Sequence, residues 1–98
     1  MTNAQNKKRI VRGKFEVVND RGLHTRPSTE LVKCASAFKC HVQLIYQQHV
    51  VNAKSLLGIL MLAASKGAKI GIEAEGDDAE EAVQSIIDLA RNSFYISY

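Results

Sequence analysis

With 98 residues, 46% of them hydrophobic, and a formal charge of +3, the chain has the material for one domain with one core and needs no metal or disulfide staples. Cys34 and Cys40 form no CxxC pattern and have no Cys/His cluster around them, so both read as buried thiols of a reducing compartment. No apolar run approaches the roughly 20 residues of a membrane span, and none follows the basic N-terminus as a secretory leader would. A cytoplasmic protein without membrane insertion is therefore expected.

The charge is unevenly spread. Lys7, Lys8, Arg9, Arg12 and Lys14 crowd the N-terminus, and Glu73, Glu75, Asp77, Asp78, Glu80 and Glu81 crowd the region near residue 80. Residues 1–12 show no apolar periodicity and read as a flexible, solvated basic extension, leaving 13–98 as the folded domain. From Lys14 to Asn19 the pattern alternates, with Phe15 and Val17 on one face and Glu16 on the other, which predicts a first strand. Asn19-Asp20-Arg21-Gly22 is a turn cluster, after which Leu31, Val32, Ala35 and Phe38 recur at helical spacing. His41 to Gln47 alternates again, with Val42, Leu44 and Tyr46 facing one way, and Val50 to Ala53 returns as its hairpin partner. The intervening Gln47-Gln48 is not the Asn-Gly type that favours a tight type I′ turn.

Ser55 then precedes a short apolar segment that starts at Leu56 and reads as a helix capped by that serine, with Ser65-Lys66-Gly67 as its stop. Lys69 to Glu75 alternates with Ile70, Ile72 and Ala74 inward, a fourth strand. Asp77 and Glu80 read as a cap pair for a last helix whose apolar stripe is Ala79, Ala82, Val83, Ile86, Ile87 and Ala90 and which ends near Ser93. The order βαββαβα predicts an α/β (α+β) open-faced sandwich, one sheet face under helices and the other toward water. The first two strands, joined by a helical crossover, can lie parallel if the fourth sits between them.

The densest chemistry lies in Gly22-Leu23-His24-Thr25-Arg26-Pro27. Proline is tolerated in the first turn of a helix, where its missing N–H is not needed, and the glycine permits a tight turn before it. His24 therefore falls at a helix N-terminus, where unpaired N–H groups and partial positive charge favour an anion, and Arg26 adds a fixed cation. Neutral imidazole is a nucleophile, so this is a nucleophile aimed at an anion site. His41 and His49 have no such setting and read as structural.

That stretch, together with Asn52-Ala53-Lys54-Ser55-Leu56-Leu57-Gly58 and its continuation through Ile59-Leu60 to Lys66-Gly67-Ala68, resembles the two signatures of the histidine-containing phosphocarrier family, HPr, of the bacterial phosphoenolpyruvate-dependent phosphotransferase system. The likeness covers about residues 13 to 93. It implies a four-stranded antiparallel sheet of order 1-4-2-3 with three helices on one face, and a monomeric phosphoryl carrier rather than an enzyme, with no cofactor and no metal. It implies that His24 takes a phosphoryl group on Nδ1 from enzyme I and gives it to enzyme II A domains, with Arg26 following the phosphate charge. Ser55 matches the family's regulatory serine, target of a dedicated kinase/phosphorylase in some bacteria. Leu23, Thr25, Leu57 and Leu60 match partner-docking positions, the leucines forming an exposed apolar patch.

Departures from the family pattern are Arg21 where a small polar residue is common, Ser28 for alanine, Gln47-Gln48 for Asn-Gly, and the long basic N-terminus. Two other readings share part of the pattern. One is a regulatory phosphoprotein, or a nitrogen-related relay, acting by protein binding without sugar transport. The other is a small RNA-binding module, for which the strands offer Phe15 and Tyr46 as aromatics and no base-stacking platform, so nucleic acid is not the expected partner.

Overall fold

In the computed structural model, which describes residues 9–96, the alternating segments become four strands and the periodic ones three helices. β1 spans Ile10–Glu16, α1 Thr25–Ser36, β2 His41–Tyr46, β3 His49–Asn52, α2 Leu56–Met61, β4 Lys69–Glu75 and α3 Ala79–Arg91, followed by a 3-10 turn at Ser93–Tyr95. The sheet order is β1-β4-β2-β3 and each neighbouring pair is antiparallel. β1 and β2 thus run parallel on either side of β4, as a helical crossover permits. This is the open-faced sandwich expected, with the helices on one face.

The first strand begins earlier than the alternation suggests. Ile10, Val11 and Arg12 pair with Glu75, Ala74 and Glu73 of β4, so these residues belong to the sheet and not to a basic tail. The inward row of β1 is Val11, Gly13 and Phe15, and the glycine removes the side chain that would have made the period visible. A Cβ on Gly13 would lie 2.7 Å from Val83 Cγ1, so the missing side chain is what lets α3 pack onto β1. Residues 1–8 lie outside the described residues. The two charge clusters meet in space, through Arg9–Glu80 at 2.8 Å and Arg12–Glu73 at 2.9 Å. These pairs are exposed and add at most about 1 kcal/mol each, so they trim the register but do not set it.

Register is set by burial. Phe15, Val42, Leu44, Ile70, Ile72 and Ala74 face inward from the sheet, met by Leu31 and Ala35 of α1 and by Ala79, Ala82, Val83, Ile86, Leu89 and Ala90 of α3. Burying a Val, Leu, Ile or Phe contributes about 1.5–3 kcal/mol, and a one-residue slip of any strand would turn its row to water. Between β2 and β3 the loop is Gln47-Gln48, with positive φ at Gln47 alone of the two, so the turn is not type I′. α2 ends sooner than the Ser65-Lys66-Gly67 cluster suggests, because Ala63 turns left-handed at φ 50.

The start of α3 also differs from expectation. Asp78, not Asp77, occupies the N-cap, and its side chain makes no cap hydrogen bond. Its carboxylate reaches across to the start of β2 instead, accepting the backbone N–H of Lys39 at 2.8 Å and of Cys40 at 3.0 Å. The bond from Lys39 foremost, with those from Cys40, holds the Asp78 carboxyl below the usual aspartate range, against an opposing desolvation. A depressed carboxyl stabilises the fold above its unfolded pKa, and that contribution is lost as pH falls through the folded value. Thermal denaturation between about pH 5 and pH 2 should therefore show a shallower fall in Tm for Asp78→Asn than for wild type. Parallel curves would remove this role.

Candidate functional site

The loop before α1 is built to hold its last residues still. The turn closes with Gly22 N–H donating to the Asn19 carbonyl at 2.9 Å, and Leu23 N–H donates to the Ala64 carbonyl at 2.9 Å. Gly22 has φ +69, and a Cβ there would stand 2.3 Å from the Ala64 oxygen. Two further bonds, Val17 N–H to the Ala68 carbonyl at 2.8 Å and Gly67 N–H to the Val17 carbonyl at 2.7 Å, zip the incoming chain to the segment before β4. Ser28 is wholly buried, and its hydroxyl donates to the Leu23 carbonyl at 3.0 Å. The serine-for-alanine departure thus adds a tether on the residue before the histidine, which its place in the sequence did not reveal.

His24 is the N-cap of α1, with φ −78 and ψ −169, and its carbonyl accepts the Ser28 N–H at 3.1 Å. Thr25, Arg26 and Pro27 form the first turn, so the proline falls where no intrahelical N–H bond is lost. That turn carries no acidic residue to offset the helix dipole. The imidazole is half-buried and its Nε2 is shielded from solvent. Arg21, Thr25, Leu60 and Ser65 line an open depression with His24, while Arg26 lies exposed one residue beyond Thr25. Arg21, a departure from the family pattern that would add a second cation beside a phosphate or steer acidic partners, is brought by the fold to the same depression.

α2 packs beside α1 and presents Leu57 and Met61, 68% and 72% exposed, one helical turn apart. Leu60 is half-buried. Leu23 corrects the expectation of a three-leucine exposed patch: it is 3% exposed and belongs to the core, plugging the loop from beneath. Met61, which was not singled out, takes its place on the surface. Ser55 is the N-cap of α2, its Oγ accepting the Gly58 N–H at 3.1 Å. Its neighbour Lys54 turns inward, donating from Nζ to the Phe38 carbonyl at 2.7 Å just past the end of α1, so this part of the second signature has a structural task.

Other reactive side chains lie elsewhere. His41 and His49 are exposed on β2 and β3. The Cys34 thiol is pushed up by burial, and Cys40 is pushed up to about 11 by burial and then by the neighbouring Asp78 carboxylate, which leaves both as inert thiols at neutral pH. Among the described residues no group of three His, Cys, Asp or Glu side chains could hold a metal ion, and no helix is long and apolar enough to cross a membrane.

An open-faced sandwich that offers a histidine from the head of a helix, on an open surface beside an apolar helix face, defines a class of small domains whose reactive side chain sits at the surface. The family is then specific. Residues 11–92 match the family model for the PTS HPr component phosphorylation site. The phosphocarrier protein HPr of Neisseria meningitidis serogroup A is 38% identical over 85 residues, covering 87% of this chain and 96% of the relative. HPr-C-His from Thermoanaerobacter tengcongensis superposes with a TM-score of 0.85 at 36% identity, over 90% of this chain and 99% of that one. HPr from Bacillus anthracis gives a TM-score of 0.77 at 35% identity, over 81% and 94%. The chain belongs to the HPr family, phosphocarrier proteins of the phosphotransferase system, which carry a phosphoryl group and are not catalytic enzymes.

Proposed function

We propose that His24 is the phosphoryl-carrying residue, charged by enzyme I and discharged to an enzyme II A domain in the cytoplasm, with the protein acting as a monomer. The observation that carries this reading is the setting of His24 at the N-cap of α1 with Nε2 turned away from solvent. With Nε2 shielded, Nδ1 is taken as the attacking nitrogen, as the family resemblance implies. Its lone pair attacks phosphorus, the donor's bond to phosphorus breaks, and the new P–N bond holds a phosphoryl anion at the first-turn N–H groups, with the Arg26 guanidinium near enough in sequence to follow its charge. Transfer of this kind depends on positioning and electrostatics more than on covalent machinery.

Docking falls to Thr25, Leu57 and Leu60, with Met61 extending the apolar face. Ser55 borders that face, and phosphorylation there would add negative charge at the head of α2 next to Leu57, altering docking more than folding. Incubation with phosphoenolpyruvate and enzyme I is expected to give an acid-labile, base-stable phosphate that mass spectrometry locates on His24. ATP with a regulatory serine kinase is expected to give an acid-stable phosphate that Ser55→Ala lacks. No label in the first reaction would end the relay reading, and phosphate on Ser55 alone in protein from cells would favour a purely regulatory phosphoprotein.

A further inference from the structure

One buried amide joins two turns that are distant in sequence. Asn19, 3% exposed, accepts the Gly22 N–H on its backbone carbonyl and so forms the turn that leads to His24. Its side-chain Nδ2 donates to the Ser93 carbonyl at 3.0 Å and to the Ile96 carbonyl at 3.4 Å. The C-terminal turn it grips is unusual: Ser93, Phe94 and Tyr95 have φ of 54, 57 and 59, three successive left-handed residues without a glycine among them. Such a run is unfavourable by itself and persists where its surroundings over-determine it. Here Phe94 is fully buried, edge-on to Phe15 of β1 at 6.0 Å between ring centroids, Ile96 is buried after it, and Asn19 fastens both ends of the turn.

The histidine loop is thus held from two directions. Residues 64–68 hold it by backbone bonds to Val17 and Leu23, and the C-terminal turn holds it through the Asn19 amide. We propose that Asn19 is a positioning residue for phosphoryl transfer, setting the turn that carries His24 by donating to the two carbonyls of the C-terminal turn. This rests on the phosphocarrier reading of His24. Asn19 does not touch the reacting atoms; it acts through Gly22 and Leu23. An in-line transfer between two proteins tolerates little misplacement, since a shift of about 1 Å can cost on the order of a hundredfold in rate.

The test compares wild type with Asn19→Asp, which keeps the shape but removes the amide donor, and with the milder Asn19→Ser, whose hydroxyl is too short to span both carbonyls. Enzyme I is assayed with each as its phosphoryl acceptor, below the Tm of every variant. The expected result is a kcat about tenfold or more lower with KM little changed. The His24 ring resonances in NMR spectra should shift, while those of His41 and His49 stay in place. Unchanged kcat in a folded variant overturns the proposal and assigns Asn19 to stability alone. Wild type that accepts no phosphoryl group overturns the carrier reading instead, a separate outcome. Hydrogen exchange on wild type decides the matter if neither variant folds: the Gly22, Tyr95 and Ile96 amides should open as one unit, and independent opening of Gly22 overturns the link.

Discussion

His24→Ala is expected to reduce phosphoenolpyruvate-driven labelling to background while the protein stays folded. The two halves of that result have different sources. Loss of label follows because, among the described residues, no other imidazole stands at a helix N-terminus. Ser55 uses its hydroxyl oxygen to cap α2, the other two histidines lie on β2 and β3, and both thiols are held protonated. Retention of the fold follows because the imidazole is only half-buried and lies outside the core, so truncation should cost within about 1 kcal/mol. Equal labelling of His24→Ala and wild type, in protein with matching Tm, would move the acceptor to another residue. Arg26→Ala provides a graded companion. Its side chain is exposed, so the fold should not notice, while transfer should slow by about tenfold to a hundredfold if the guanidinium meets the phosphate in the transition state.

Much of this surface is legible in the sequence alone, for identifiable reasons. Period-two rows such as Ile70, Ile72 and Ala74, and the α3 stripe from Ala79 to Ala90, carry their own evidence because each residue shares a face with its neighbours. The helix start at His24 was legible from Gly22 and Pro27, whose backbone restrictions are local. What stayed hidden depends on partners far along the chain. Leu23 looks like a surface leucine until the segment around Ala64 folds over it. The sequence points to Asp77 as the cap of α3, whereas Asp78 takes that position and turns its carboxylate to the two N–H groups just before β2. Ser93-Phe94-Tyr95 has no local tendency to turn left-handed; burial of Phe94 imposes that conformation. Gly13 concealed part of β1 for the opposite reason, since a pattern cannot show a side chain that is absent.

Gly22→Ala should produce the second large effect, on stability and on transfer together. The residue has φ +69, a conformation that costs an L-residue roughly 1–2 kcal/mol, and the added Cβ would stand 2.3 Å from the Ala64 oxygen and 2.9 Å from the Ser65 Cα. Both obstacles are backbone, so no rotamer change relieves them. The segment from Ala63 to Ser65 is itself constrained, because Ala63 is already left-handed and the Ala64 carbonyl is engaged by Leu23 N–H. Either the histidine loop lifts away, breaking that bond and uncovering Leu23, or the segment after α2 retreats. A loss of about 2–4 kcal/mol follows, which in a domain of this size lowers Tm on the order of 10–25 °C. The kinetic consequence separates this from simple unfolding. At a temperature where the variant is fully folded, His24 rides on a displaced loop, so transfer from enzyme I should remain well below wild type. A variant of wild-type Tm and wild-type rate would show that the close approach of Gly22 to Ala64 is not what holds the site.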